Sequence, residues 1–236
     1  MSDLAPLLNA LGPANSWARL ESARWNGPDC LLVFSVDDGR NEPSRSRWVV
    51  TCHGVVAYRI EDVNGGGLNH DTKDHPVARQ FSAPRARLLL RGAAGNPDAA
   101  LASLWCIHRS VADDWIEFDR YLVLDPEYRR ISANRTGDEP FDNWYLYDME
   151  PDLGEILEHG TGILAEGPEF LLRAYEEALN ECGVACAVEP WKPAPDDNNA
   201  GLPGKELEMV HFGSSHFVAR AFSCERHDGI DNGAQP

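Results

Sequence analysis

Lysine is scarce in this chain: only Lys73, Lys192 and Lys205 stand beside 18 arginines. Between Arg135 and Arg173 there is neither lysine nor arginine. No stretch approaches the roughly 18–20 uninterrupted apolar residues that a membrane-spanning helix needs, so a membrane partner is not expected. The start, Met1-Ser2-Asp3-Leu4-Ala5-Pro6, has neither the basic residues nor the apolar run of a secretory signal. Six cysteines at 30, 52, 106, 182, 186 and 224 include no Cys-x-x-Cys pair. In a chain of this size without a signal they are expected to be reduced thiols, and the protein cytoplasmic. There is no internal repeat and no low-complexity tract, which excludes solenoids and repeat arrays.

What fills the interval without basic residues is acid. Ten carboxylates lie there: Asp138, Glu139, Asp142, Asp148, Glu150, Asp152, Glu155, Glu158, Glu166 and Glu169. Phe141, Trp144, Tyr145 and Tyr147 are threaded among the first of them. The imbalance is regional, since residues 1–118 carry 12 basic and 14 acidic side chains, and residues 119–236 carry 9 and 24. Such a field repels nucleic acid and anionic lipid and speeds association with basic proteins. Acidity alone would serve solubility, but solubility does not call for aromatic rings. Rings give desolvated anchor area, and carboxylates around them steer a cationic partner. Asp138, Glu139, Asp142, Trp144, Tyr145, Tyr147, Asp148 and Glu150 are therefore expected to form an exposed, partner-facing patch. The competing expectation is that the three rings are core and only the carboxylates see water.

With 236 residues and 43% hydrophobic content the chain can bury a sizeable core. Leu4, Leu7, Leu8 and Leu11 have helical spacing, and residues 3–11 read as a short helix. Strands are expected at 31–36, at 48–60 with a bend at Gly54, at 85–91 and at 121–124. Gly65-Gly66-Gly67 opens a polar loop running to His75-Pro76. Asn96-Pro97-Asp98 starts a helix reaching about Val111, and a shorter helix fits 151–159, closed by Gly160. The best-marked helix is 168–182, with Phe170, Leu171, Ala174, Ala178 and Leu179 facing inward and Gly183 as its cap. A strand follows at 184–188, then a loop or linker over 190–204. A hairpin closes the chain, 207–212 and 216–224 about Gly213-Ser214, before a disordered tail. These elements predict an α+β fold with a mixed or mostly antiparallel sheet. One domain is expected over 1–189, rejoined by the hairpin at 205–228, with helix 168–182 packing on the sheet that holds the hairpin.

Chemical motifs are sparse. His211 and His216 flank the hairpin turn and could share a metal, but no third ligand sits at a companion spacing. Glu155 and His159 share a helical face near Asp152, as a solvated surface would also place them. Cys182 and Cys186 span a helix end and a strand, which buried thiols do as readily as reactive ones. Gly213-Ser214-Ser215 lacks the second glycine of a nucleophile elbow. No cofactor, metal or catalytic residue is expected, which leaves a metal enzyme at the histidines and an adaptor subunit as alternatives to a binding protein.

The stretch Gly162-Ile163-Leu164-Ala165-Glu166-Gly167-Pro168, the helix through Tyr175 and Leu179, and Phe212-Gly213-Ser214-Ser215-His216-Phe217-Val218-Ala219-Arg220 carry a likeness covering about a third of the chain. It resembles the C-terminal part of bacterial immunity proteins, the antidotes encoded beside contact-dependent or secreted antibacterial toxins. That resemblance implies an acidic cytoplasmic protein that binds and blocks one toxin domain, such as a nuclease, without catalysis. It brings no site residues with it, because such proteins differ from pair to pair in what they use.

Overall fold

The computed structural model describes residues 3–11, 17–37, 45–61, 67–122, 153–191 and 205–227. The fold is α+β, with five α-helices and three antiparallel sheets among the described residues. Those within Met1–Ser82 and Lys205–Pro236 gather into one compact unit, and those within Ala83–Gly204 into a second. The single domain expected over 1–189 is thus parted at Ser82/Ala83, where the sequence carries no linker composition, and the C-terminal strands rejoin the first unit only.

The first unit contains α1 (Ala5–Leu11), β1 (Trp17–Asn26), β2 (Asp29–Asp37), β3 (Arg45–His53), β4 (Ala57–Arg59), β5 (Leu68–Asp71), α2 (Pro76–Ser82), β9 (Glu208–Phe212), β10 (Ser215–Ala219) and β11 (Ala221–His227). Its sheets run β1-β2-β3-β11 and β4-β10-β9-β5. Strand β2 shows why they share a core. Cys30, Leu32, Phe34 and Val36 are buried in strict alternation with half-buried neighbours, the period-2 signature of a sheet with one covered face. Phe34 meets Phe212 edge-on, with ring centroids 5.2 Å apart. Leu4, Leu7 and Leu11 of α1 join the same core, so the first helix lies where its leucine spacing predicts.

Two apolar runs prove to be two strands each. The run 48–60 breaks at Gly54, whose φ of +61° suits glycine. Beyond it Val55 N–H donates to Pro28 O and Val56 N–H to Val218 O, which hands the chain from one sheet to the other. The closing run likewise passes between sheets at Arg220: β10 pairs with β9 and β4, and β11 pairs with β3. The hairpin turn is as expected, with Phe212 opposite Ser215. Phe217 and Phe222 are buried, one in each sheet. The segment expected to be a polar loop to His75 holds β5, which pairs with β9.

The second unit contains β6 (Arg85–Arg91), α3 (Pro97–Ala112), a 3₁₀ turn (Phe118–Tyr121), α4 (Leu153–His159), β7 (Thr161–Pro168), α5 (Glu169–Glu181) and β8 (Cys186–Pro190). The sheet order is β7-β6-β8. Along β6, Ala86, Leu88 and Leu90 turn to the core, while Arg85, Arg87 and Arg91 occupy the other face. Asn96 caps α3, its side-chain oxygen accepting from Ala99 N–H at 3.1 Å. Helix α5 buries Leu171, Leu172, Tyr175, Ala178 and Leu179, with Phe170 and Ala174 half-buried. It packs on β6, β7 and β8 and against α3, and not on the sheet bearing the hairpin. The reason is local: β7 runs straight into the helix at Pro168, and its exit reaches β8 within a few residues, so its flanking strands are its nearest cover. The strand expected at 121–124 is instead the end of the 3₁₀ turn with a single bridge, Leu122 to Ala165, and residues 123–124 lie outside the described residues.

Candidate partner-binding surface

All eight residues expected to face a partner, Asp138, Glu139, Asp142, Trp144, Tyr145, Tyr147, Asp148 and Glu150, lie outside the described residues. What the structure places is their chemical counterpart elsewhere in the second unit. Residues 83–204 carry 23 acidic and 10 basic side chains, against 15 and 11 in the first unit. The charge therefore concentrates in one unit, at a net −13.

Among the described residues, the exposed large apolar side chains are Trp17, Trp25, Tyr58, Ile60 and Trp105. Of these described side chains, Trp105 is the one that belongs to the acidic unit. It sits on the outer face of α3, where the inward positions are Ala100, Leu104 and His108, and is 49% exposed. Its ring stands edge-on to Phe118, centroids 5.1 Å apart, so one side is held and the other is free to meet solvent. In sequence Phe118 follows Asp113, Asp114 and Glu117 and precedes Asp119, all exposed, with Arg109 and Arg120 exposed at either end of the run. Asp113 closes α3 with its N–H on Arg109 O at 3.0 Å and takes a left-handed φ of +52°. Asp114 is ion-paired with Arg109. The sequence carries a signal for this surface in the acid-rich, aromatic run 113–119, but the denser cluster at 138–150 outweighs it in residue order.

Beneath the surface lies a buried polar pair. His108 is 1% exposed and Tyr175 is fully buried. His108 Nε2 is 2.7 Å from Ile116 O, and Nδ1 is 2.7 Å from the Tyr175 hydroxyl. A carbonyl can only accept, so Nε2 carries the hydrogen and the tyrosine donates to Nδ1. Burial lowers the imidazole pKa, opposed by the bond to Ile116 and reinforced by Arg109. Burial raises that of Tyr175. Both directions keep the pair neutral. Phe118 packs edge-on against the His108 ring at 5.3 Å, which links the floor to the aromatic surface above.

The acidic run is less bare of partners than its sequence implies. Glu166 lies 2.5 Å from Arg87, which also stands over the Trp191 ring, and Glu169 lies 3.1 Å from Arg173. Arg87 arrives from β6, about eighty residues away in sequence, so no local reading reveals it.

The other candidates lie in different parts of the fold. His211 and His216 stand directly opposite each other across β9 and β10. His211 Nε2 lies 2.8 Å from Asp71 Oδ2, and His75 is tilted against His211 with centroids 6.0 Å apart. Burial lowers the His75 pKa, Asp71 opposes it, and His211 adds to it. His159 ends α4 and is exposed, while the Glu155 side chain lies outside what is described. Among the described residues no group of three or more His, Cys, Asp or Glu is placed to hold a metal ion. Cys182 and Cys186 are half-buried and unbridged, and burial pushes the Cys186 thiol up to about 11, away from thiolate chemistry. No helix among the described residues is long and apolar enough to cross a membrane.

Fold and surface together describe a two-unit α+β chain with a half-exposed tryptophan, braced by Phe118, on its more acidic unit. Comparison with protein-family models, with curated proteins and with solved structures finds no match to this chain.

Proposed function

We propose that this chain is an acidic binding protein that acts in the cytoplasm and neutralises a basic protein partner by non-enzymatic capture, as an immunity protein blocks an antibacterial toxin domain. The observation that carries this reading is Trp105, half-exposed and braced by Phe118, whose own segment carries the exposed carboxylates Asp113, Asp114, Glu117 and Asp119. A rigid ring with a carboxylate rim suits a surface rich in Lys and Arg, such as a nuclease domain presents to phosphates. The resemblance of the 162–168 stretch and the hairpin to immunity proteins supports the same partner class. The segment 138–150 adds a second copy of the same chemistry.

The test is titration of the full chain with purified basic nuclease domains of antibacterial toxins. Trp105→Ala is expected to weaken binding about thirtyfold or more, as central aromatics lose roughly 2 kcal/mol or more. Charge reversal at Asp113 and Asp119 is expected to slow association and flatten its salt dependence, with a smaller effect on dissociation. Trp144→Ala and reversal of Asp142 with Asp148 measure the other segment in the same way. Full affinity in Trp105→Ala with a large loss in Trp144→Ala would move the interface to 138–150. No salt-dependent binding by the wild-type chain would end the proposal.

A further inference from the structure

Three strands of the first unit bring an acid, an imidazole and a hydroxyl onto one face. Asp29 opens β2, His53 closes β3 and Ser223 lies in β11. Cys30 pairs with Cys52, His53 with Ala221, and Thr51 with Ser223. Because Cys30, Cys52 and Phe222 are buried, the alternation of side chains along each strand turns Asp29, His53 and Ser223 to the opposite, outer face. There Ser223 Oγ lies 3.0 Å from His53 Nε2, and Asp29 Oδ2 lies 3.5 Å from His53 Nδ1. The other Asp29 oxygen, Oδ1, accepts the Gly54 N–H at 2.8 Å, which fixes the carboxylate at the strand end.

We propose that Ser223, His53 and Asp29 form a hydrolytic relay that transfers acyl groups from activated carboxylic esters to water, an activity separate from partner capture. Nε2 has the Ser223 hydroxyl within hydrogen-bond distance, and Nδ1 faces a carboxylate oxygen at 3.5 Å, an ionic contact longer than a hydrogen bond. With its Nδ1 hydrogen toward Asp29, the ring presents the Nε2 lone pair to the Ser223 hydroxyl, the tautomer in which histidine acts as a general base. Ser223 Oγ attacks the ester carbonyl as its proton passes to Nε2. The bond to the leaving alkoxide breaks, and the alkoxide takes that proton. Water, giving a proton to Nε2, then attacks the acyl-serine, and Oγ departs with the proton. The products are one acid and one alcohol, with no cofactor or oxidant required. Ser223 and His53 are the catalytic residues, and Asp29 is a positioning residue.

Two further features shape the site. The Arg220 chain lies across Gly54, with its Cδ 3.1 Å from where a Cβ would stand, so a side chain at residue 54 would press on it. Its Nε lies 3.4 Å from the same point, which sets the start of the guanidinium beside Gly54, the residue after His53. The side chains of His53 and Asp29 are 46% and 36% exposed, an open face rather than a cleft. That selects small, activated esters and not peptide bonds, whose slow cleavage needs a desolvated site. The relay shares no residue with the acidic surface on the second unit.

The experiment treats the full chain with p-nitrophenyl acetate and with a fluorophosphonate probe. One label per chain is expected, mapped to Ser223 and absent from Ser223→Ala. His53→Ala is expected to lose about a hundredfold in labelling rate, within the usual range for a general base, and to recover part of it when imidazole is added. Imidazole rescue separates a lost base from a disturbed fold. Asp29→Asn should label more slowly than wild type. Labelling no faster than in Ser223→Ala, label on another residue, or equal rates in His53→Ala and wild type would each overturn the relay. Ser223→Ala should bind a basic partner as wild type does, so failure here and failure of the binding proposal are read separately.

Discussion

His108→Ala is expected to destabilise the second unit by about 3–5 kcal/mol, measured by denaturant unfolding. The substitution empties a core position and strands two buried polar groups, the Tyr175 hydroxyl and the Ile116 carbonyl, each costing about 1–3 kcal/mol when left without a partner. Tyr175→Phe removes one bond and no volume, and is expected to cost less, about 1–2 kcal/mol. Equal losses in the two variants would refute the tautomer with hydrogen on Nε2, because they would mean the histidine bond to Ile116 contributes nothing. The pair also sets a pH dependence. Burial lowers the folded pKa of His108 below its ordinary 6.5, so the unfolded chain binds the proton more readily. Stability from this group is then fully present above about 6.5 and is lost as pH falls toward the lower folded value. The wild-type unit should lose stability as pH falls from about 7.5 to about 5.5, and His108→Ala should lose less over the same interval. A flat wild-type profile would contradict a buried neutral imidazole. Since Phe118 rests on the His108 ring, His108→Ala should also loosen the footing of Trp105 and weaken partner binding.

Gly160→Ala is expected to cost about 3 kcal/mol or more in the same unit, for two separable reasons. Gly160 ends α4 with its N–H on Ile156 O at 2.9 Å and a φ of +67°, a conformation that costs an L-residue about 1 kcal/mol or more. A Cβ there would also overlap Ala93 N and Gly92 C. Those are backbone atoms and cannot swing aside, so the α4–β7 junction must move off the end of β6. Gly183 supplies the control. Its φ is +76°, but a Cβ added there would meet nothing within 4 Å, so Gly183→Ala isolates conformational strain at about 1 kcal/mol. Hydrogen exchange over α4 and β7 reports the difference. Comparable protection in both variants would show that the clash at Gly160 relaxes without consequence.

The concentration of charge in one unit bears on the proposed capture of a basic partner. A net −13 in residues 83–204 against −4 in the rest gives the second unit the stronger pull on a basic partner, and the first unit a surface of nearly balanced charge. Salt bridges such as Arg91 with Glu189 at 2.6 Å and Arg173 with Glu176 at 2.9 Å are exposed and add little stability. Their neutralisation engages the basic residues of β6 and α5, and on the aromatic side Arg109, which pairs with Asp114. Raising ionic strength is expected to weaken partner capture while leaving unfolding midpoints nearly unchanged.

Local chemistry is legible from residue order. Asn96-Pro97 marks the start of α3, Gly160 and Gly183 mark helix ends, and the leucine spacing of the first helix and the Gly213-Ser214 turn of the hairpin hold in the structure, because caps, turns and helical periodicity act within a few residues. Strand partners do not follow from the same reading. Nothing in the runs 48–60 or 216–224 states that Gly54 and Arg220 carry the chain between sheets, since either half alternates equally well against either partner. The position of α5 depends on β7 and β8, and β7, with Gly162, Gly167 and Pro168 in its eight residues, has no strand signature of its own. Pairings across long separations decide the rest: Arg87 with Glu166, His108 with Tyr175, and Asp29 with His53 and Ser223. Sequence determines which side chains can bear charge or donate a proton, but which of them meet is a property of the folded sheets, because distant residues become neighbours only when a shared core holds their strands in register.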